Sequence, residues 1–162
     1  MDFWEQIAIG FIGTVAGAAV ALLSSWFGGR SQAHSKETAA LNGFLLDLSL
    51  KRALHVGTPR IADLQTAVAD LGRCKESVLD TRGLVRDARL QLRPKSGAFD
   101  HLARMAGACN LFLHKANTEP EKYQFYLADL QSQLDREAHS LGKFKGVTYR
   151  RPGHSAYFVA KV

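Results

Sequence analysis

Six histidines, fifteen acids and two cysteines are the residues of this 162-residue chain that could do acid–base or metal chemistry. The histidines are scattered as His34, His55, His101, His114, His139 and His154. Asp135 and His139 stand four apart, the spacing that puts two metal ligands on one helix face. With no second pair in view, that spacing reads as a solvated helix surface. His101 near Asp100 and Arg104 hints at acid–base work, although Asp100 is also well placed to favour a helix N-terminus. The sequence contains no phosphate-cradling glycine loop, no HExxH, no paired CxxC and no GxSxG elbow. No catalytic constellation and no cofactor are therefore expected. Cys74 and Cys109 fall on apolar helix faces, where a free thiol behaves as a small hydrophobe.

Binding chemistry is better represented. The formal charge of +6 is uneven. Residues 143–162 carry Lys143, Lys145, Arg150, Arg151 and Lys161 and no acid, interleaved with Phe144, Tyr149, Tyr157 and Phe158. Such a mixture can sit at an anionic lipid surface, where each base is worth about 1 kcal/mol. It can hold single-stranded nucleic acid by charge and stacking, with Lys143, Lys145, Tyr149, Arg150, Arg151 and Lys161 as the contacts. It can add as a strand to a partner's sheet, or its aromatics can cap the chain's own core. A second basic feature is the row Arg73, Lys75, Arg82, Arg86, Arg89 and Arg93. Acids interrupt it, so it reads as a salt-bridged solvated face.

Something must hold these groups in place. No charge occurs between Glu5 and Arg30. As a helix those residues would cover about 36 Å, enough to cross a hydrocarbon core of about 30 Å. The expected span is 7–27, with Trp4 and Trp26 at the two headgroup levels. A buried core helix and a cleaved leader are the competing readings. The N-terminal flank is acidic, which disfavours a leader. Its lack of Lys and Arg, against Arg30 and Lys36 beyond the span, places the N-terminus outside and the remainder in the cytoplasm, at an inner or plasma membrane. Gly10, Gly13, Gly17 and Ala21 form a small-residue stripe that lets two such helices approach closely. Membrane lipid and a second copy of the chain are thus expected partners, with an unidentified protein partner besides and nucleic acid less favoured.

Three regions follow: an anchor at 1–29, a helical domain at 30–142 and a basic aromatic arm at 143–162. The domain is read as all-α, an antiparallel bundle of about four amphipathic helices. The first spans about Ser35 to Leu54, with Leu41, Phe44, Leu45 and Leu48 as its stripe and Leu46, Leu50 and Leu54 widening it to two buried sides. The second starts at Thr58-Pro59 and keeps one face through Ile61, Leu64, Val68, Leu71, Cys74, Val78, Thr81, Val85, Ala88 and Leu92, with a candidate break at Asp80–Gly83. The third buries Phe99, Leu102, Ala106, Cys109, Leu113 and Ala116. The fourth buries Tyr123, Leu127, Leu130, Leu134, Ala138 and Leu141 and is capped by Gly142. The arm alternates around Pro152-Gly153 and reads as a small strand-like hairpin or an extended arm.

The leading functional reading is a non-enzymatic, single-pass membrane protein whose cytoplasmic bundle binds a partner or self-assembles. A holin-like or defence-associated pore former and a membrane-tethered nucleic-acid binder are the alternatives.

Overall fold

A computed structural model of the chain describes residues 34–54 and 64–157, with side chains placed at 34–54 and 70–155. The expected span at 7–27, with Trp4, Trp26, Gly10, Gly13, Gly17 and Ala21, lies outside the described residues. So do Thr58-Pro59 and Lys161. No helix among the described residues is long and apolar enough to cross a membrane. The chain divides into two compact units, Met1–Lys36 and Glu37–Val162, and the bundle belongs to the second.

Four helices make the bundle: α1 (34–49), α2 (Leu64–Leu90), α3 (Ala98–Thr118) and α4 (Tyr123–Leu141). No strand occurs among the described residues. Cross-helix contacts fix the directions. On α1 and α2, Glu37 meets Arg93 just past the end of α2, at 2.9 Å, and Lys51 meets Asp80. On α2 and α3, Arg82 donates to Asn110 at 3.0 Å and the Arg89 guanidinium lies 4.3 Å over the Phe99 ring. On α3 and α4, Arg104 pairs with Glu137, and the Lys115 ammonium lies 5.5 Å from the Tyr126 ring. In each pair the early part of one helix meets the late part of the next, so all three neighbours run antiparallel.

Apolar periodicity explains the core. On α4 every residue of the expected stripe is buried. On α2 the described part of the stripe is buried from Leu71 through Val78, Thr81, Val85 and Ala88 to Leu92, with Cys74 partly so. The Thr81 hydroxyl is satisfied by donating to the Ser77 carbonyl four residues back, at 2.9 Å.

Four expectations need correction. The helix does not break at Asp80–Gly83: α2 is continuous from Leu64 to Leu90, and its buried residues on either side of that point belong to one core cluster. α1 buries one face rather than two. Leu46 and Leu50 stay 42% and 38% exposed, and the α-helix stops at residue 49 before a 3-10 turn at Arg52–Leu54. α3 is rotated from its expected face. It buries Ala98, Met105, Ala108 and Phe112 together with Leu102, Cys109 and Ala116, leaving Phe99, Ala106 and Leu113 at the margin.

The fourth correction concerns the arm. Its described part forms no hairpin or strand. It runs as turns to a 3-10 helix at His154–Tyr157, and it binds the bundle instead of itself. Asn42 is the clasp. Its amide donates to the Gly146 carbonyl at 2.9 Å, and its side-chain oxygen accepts the Thr148 N–H at 2.8 Å. The Gly153 N–H reaches the Leu48 carbonyl at 3.1 Å, supplying one of the groups a helix C-terminus leaves unpaired. Gly146 at φ +81° and Gly153 at φ +72° occupy the left-handed region that favours glycine. Val147 and Pro152 are buried by this arrangement.

Candidate functional site

A half-buried polar cluster joins Glu137 with His101 and Arg104. Glu137 sits on the buried face of α4 beside Ala138, only 7% exposed. Its Oε2 accepts Arg104 Nε at 3.0 Å and lies 2.8 Å from His101 Nδ1. Arg104 Nη2 is also 2.8 Å from that Nδ1. A proton on Nδ1 can be donated to Glu137, and its lone pair can instead accept from Arg104, so the ring serves the cluster in either tautomer. Burial works to raise the Glu137 carboxyl. The hydrogen bonds from Arg104 and His101 outweigh it and hold the carboxyl below its ordinary value. The same bond holds the Arg104 guanidinium above its own. Phe144 closes the site from the arm, edge-on to His101 with centroids 6.0 Å apart. The result is a charge-assisted tie between α3 and α4.

The sequence hint at His101 and Arg104 thus names two residues that do meet, but their partner is Glu137 and not Asp100. An acid inside an apolar stripe was the available signal. Asp135 and His139 are joined differently as well. The Tyr149 hydroxyl donates to Asp135 Oδ1 at 2.7 Å, and its ring stands edge-on to His139 at 5.3 Å. Among the described residues no group of three His, Cys, Asp or Glu stands close enough to hold a metal ion. Burial pushes the Cys109 thiol up to about 12 and raises Cys74, so neither is primed as a nucleophile.

Compared with protein-family models, curated proteins and solved structures, the chain has no match. The surface itself must carry the functional reading.

Of the basic arm, Lys143, Lys145, Arg150 and Arg151 are exposed. Tyr149 is committed to Asp135 and His139. Burial and then the Asp135 bond push its phenol up to about 12. A broader feature lies between α2 and α3. There Leu79, Arg82, Gly83, Val85, Arg86, Arg89 and Ala106 line a groove of about 400 Å³. Three arginines stand over a floor of leucine, valine, alanine and a bare glycine. Arg82 and Arg89 are steadied from α3 by Asn110 and Phe99, and the Arg89 Nε is buried with no hydrogen-bond partner among the described residues. Among those residues Arg86 reaches its neighbour Asp87, at 3.3 Å. The arginine row is therefore not a uniformly salt-bridged face. Its charge is concentrated where the surface is concave and partly apolar. A second groove of about 310 Å³ lies between α3 and α4, bordered by Arg104, Leu111, Gln133 and Arg136.

Proposed function

We propose that this protein is a non-enzymatic, single-pass membrane-anchored scaffold whose cytoplasmic helical bundle binds a protein partner through the α2/α3 groove. One observation carries the reading: Arg82, Arg86 and Arg89 gathered over an apolar floor at an open surface. Fixed cations beside exposed leucine suit an amphipathic helix with acidic and apolar residues. The anchor rests on the uncharged residues between Glu5 and Arg30, and the orientation on the bases that follow them.

The test is fractionation of cells expressing the full chain. The protein is expected in the membrane pellet after alkaline carbonate extraction, and in the soluble fraction once residues 1–29 are removed. Protease should reach the bundle only in inverted vesicles. A full-length chain extracted by carbonate, or purified protein that turns over nucleotides, lipids or peptides, would sink the proposal.

A further inference from the structure

The outward face of α2 carries two exposed leucines among its charges. Leu79 is 46% exposed and Leu90 79% exposed. Gly72 and Gly83 share that face, since the four residues are separated by steps of seven, four and seven. Beyond the helix's own backbone, no atom of the described residues lies within 4 Å of where a Cβ would stand on either glycine. The folded chain gains nothing from them, and each costs about 1 kcal/mol of helix stability against alanine. Glycine that leaves a bare notch beside an exposed leucine suits the close approach of another helix.

The complete seam is Gly72, Glu76, Leu79, Gly83, Arg86 and Leu90, in alternating steps of four and three. That is the spacing of a helix–helix interface. It is also self-complementary when reversed. Laid antiparallel about a two-fold axis level with residue 81, Gly72 faces Leu90, Glu76 faces Arg86, and Leu79 faces Gly83. Each leucine meets a notch and each charge meets its opposite. Two-fold symmetry repeats every one of these contacts. A parallel pairing would set Glu76 against Glu76 and Arg86 against Arg86. Glu76 has no ion pair among the described residues, and Arg86 has only Asp87. The flanking Asp80, Arg82 and Arg89 are occupied within their own bundle by Lys51, Asn110 and Phe99.

We infer that α2 pairs antiparallel with α2 of a second copy of this chain, with Leu79 seated over the partner's Gly83 and Glu76 paired to the partner's Arg86. The inference rests on the partner-binding reading above and names the partner. The seam is about 27 Å long, and tethering two bundles to one membrane would raise their effective concentration.

The experiment uses two differently tagged full-length chains in membranes, both with Cys74→Ala and Cys109→Ala, one carrying Leu79→Cys and the other Gly83→Cys. A short bis-maleimide should join them. Adding Glu76→Arg to both copies, or Arg86→Glu to both, should lower the yield about tenfold. Placing Glu76→Arg on one copy and Arg86→Glu on the other should restore it to within about twofold, since the swapped charges then meet in opposite pairs. Leu111→Asp, on the exposed face of α3, should leave the yield unchanged. Circular dichroism of each variant checks the fold. Absence of cross-linking, or a yield indifferent to the swaps, overturns the inference. Carbonate extraction of the same membranes reads the scaffold proposal separately: a retained protein with failed swaps sinks only the pairing, and an extracted one sinks the anchor.

Discussion

The same substitution at two helical glycines should act in opposite directions. Within a single chain a Cβ built on Gly83 meets no described neighbour within 4 Å, so at dilutions that keep α2 unpaired Gly83→Ala gains helix propensity without contact cost. At about 1 kcal/mol, the folded chain should become more stable by that amount. Gly142 sits at the C-terminal end of α4 with φ −63°, a conformation alanine also adopts, so backbone strain is not at issue. Its Cβ, however, would lie 2.7 Å from Tyr149 Cβ and 3.2 Å from Tyr149 Cα. Ordinary contact begins near 3.4 Å, so the segment around Tyr149 must retreat by about 0.7 Å. That segment is held by Asn42 on one side and Asp135 on the other, and it cannot retreat without loosening both. Overpacking of this kind costs about 1–3 kcal/mol, and propensity returns less at a helix end than in its interior. Gly142→Ala should therefore destabilise by about 1–2 kcal/mol, and the two variants should differ by about 2–3 kcal/mol. Pulse proteolysis of full-length protein across a urea series in mild detergent measures both midpoints without relying on Trp4 and Trp26. Midpoints that move together, in either direction, would refute the reasoning that Gly142 is required by the close approach of Tyr149.

Two further outcomes follow from the polar ties. Glu137→Gln should cost about 1–3 kcal/mol, as expected for hydrogen bonds to a charged group. It should also alter the acid limb of stability. The native carboxyl lies below its ordinary value of 4.5, so its contribution is complete above that pH and is lost as pH falls through the depressed native value; urea midpoints measured through that window should fall less steeply in the variant. Tyr149→Phe removes the bond to Asp135 and the phenol that burial pushes up to about 12. A raised native value gives stability that is complete below pH 10 and lost between pH 10 and about 12. An ultraviolet phenolate titration should accordingly lose its latest-titrating tyrosine in the variant.

How much of this was legible depended on how many faces a helix buries. α4 was read correctly because its apolar residues occupy a single stripe and packing had nothing to choose between. α3 lies between α2 and α4, so apolar residues occur on two sides, and the sequence alone could not decide whether Phe99 and Leu113 or Met105 and Phe112 faced inward. Leu46 and Leu50 misled for a related reason, since an exposed leucine resembles a buried one until its neighbours are known. The arm alternates as a strand does, yet its described part pairs with no strand. Its actual partners, Asn42 and Leu48, lie about a hundred residues earlier, and no local pattern encodes such a meeting. Glu137 was overlooked as one acid among six between residues 95 and 142, although its place beside Ala138 on an apolar stripe marked it out. The expected anchor and Lys161 lie outside the described residues.

The Asn42 clasp also has a consequence in time. Gly146 follows Asn42 by 104 residues, and Thr148 follows it by 106. At ribosomal speeds of about 5–20 residues per second, α1 is made roughly 5–20 s before the residues that fasten it. In that interval the Asn42 amide lacks both of its backbone partners, the Leu48 carbonyl has only the local Lys51 N–H, and the apolar face of α1 awaits three helices not yet synthesised. The newborn chain thus passes through a stage in which the first helix of its bundle is complete and unclaimed, and the window closes only when the polypeptide has been extended past Gly153.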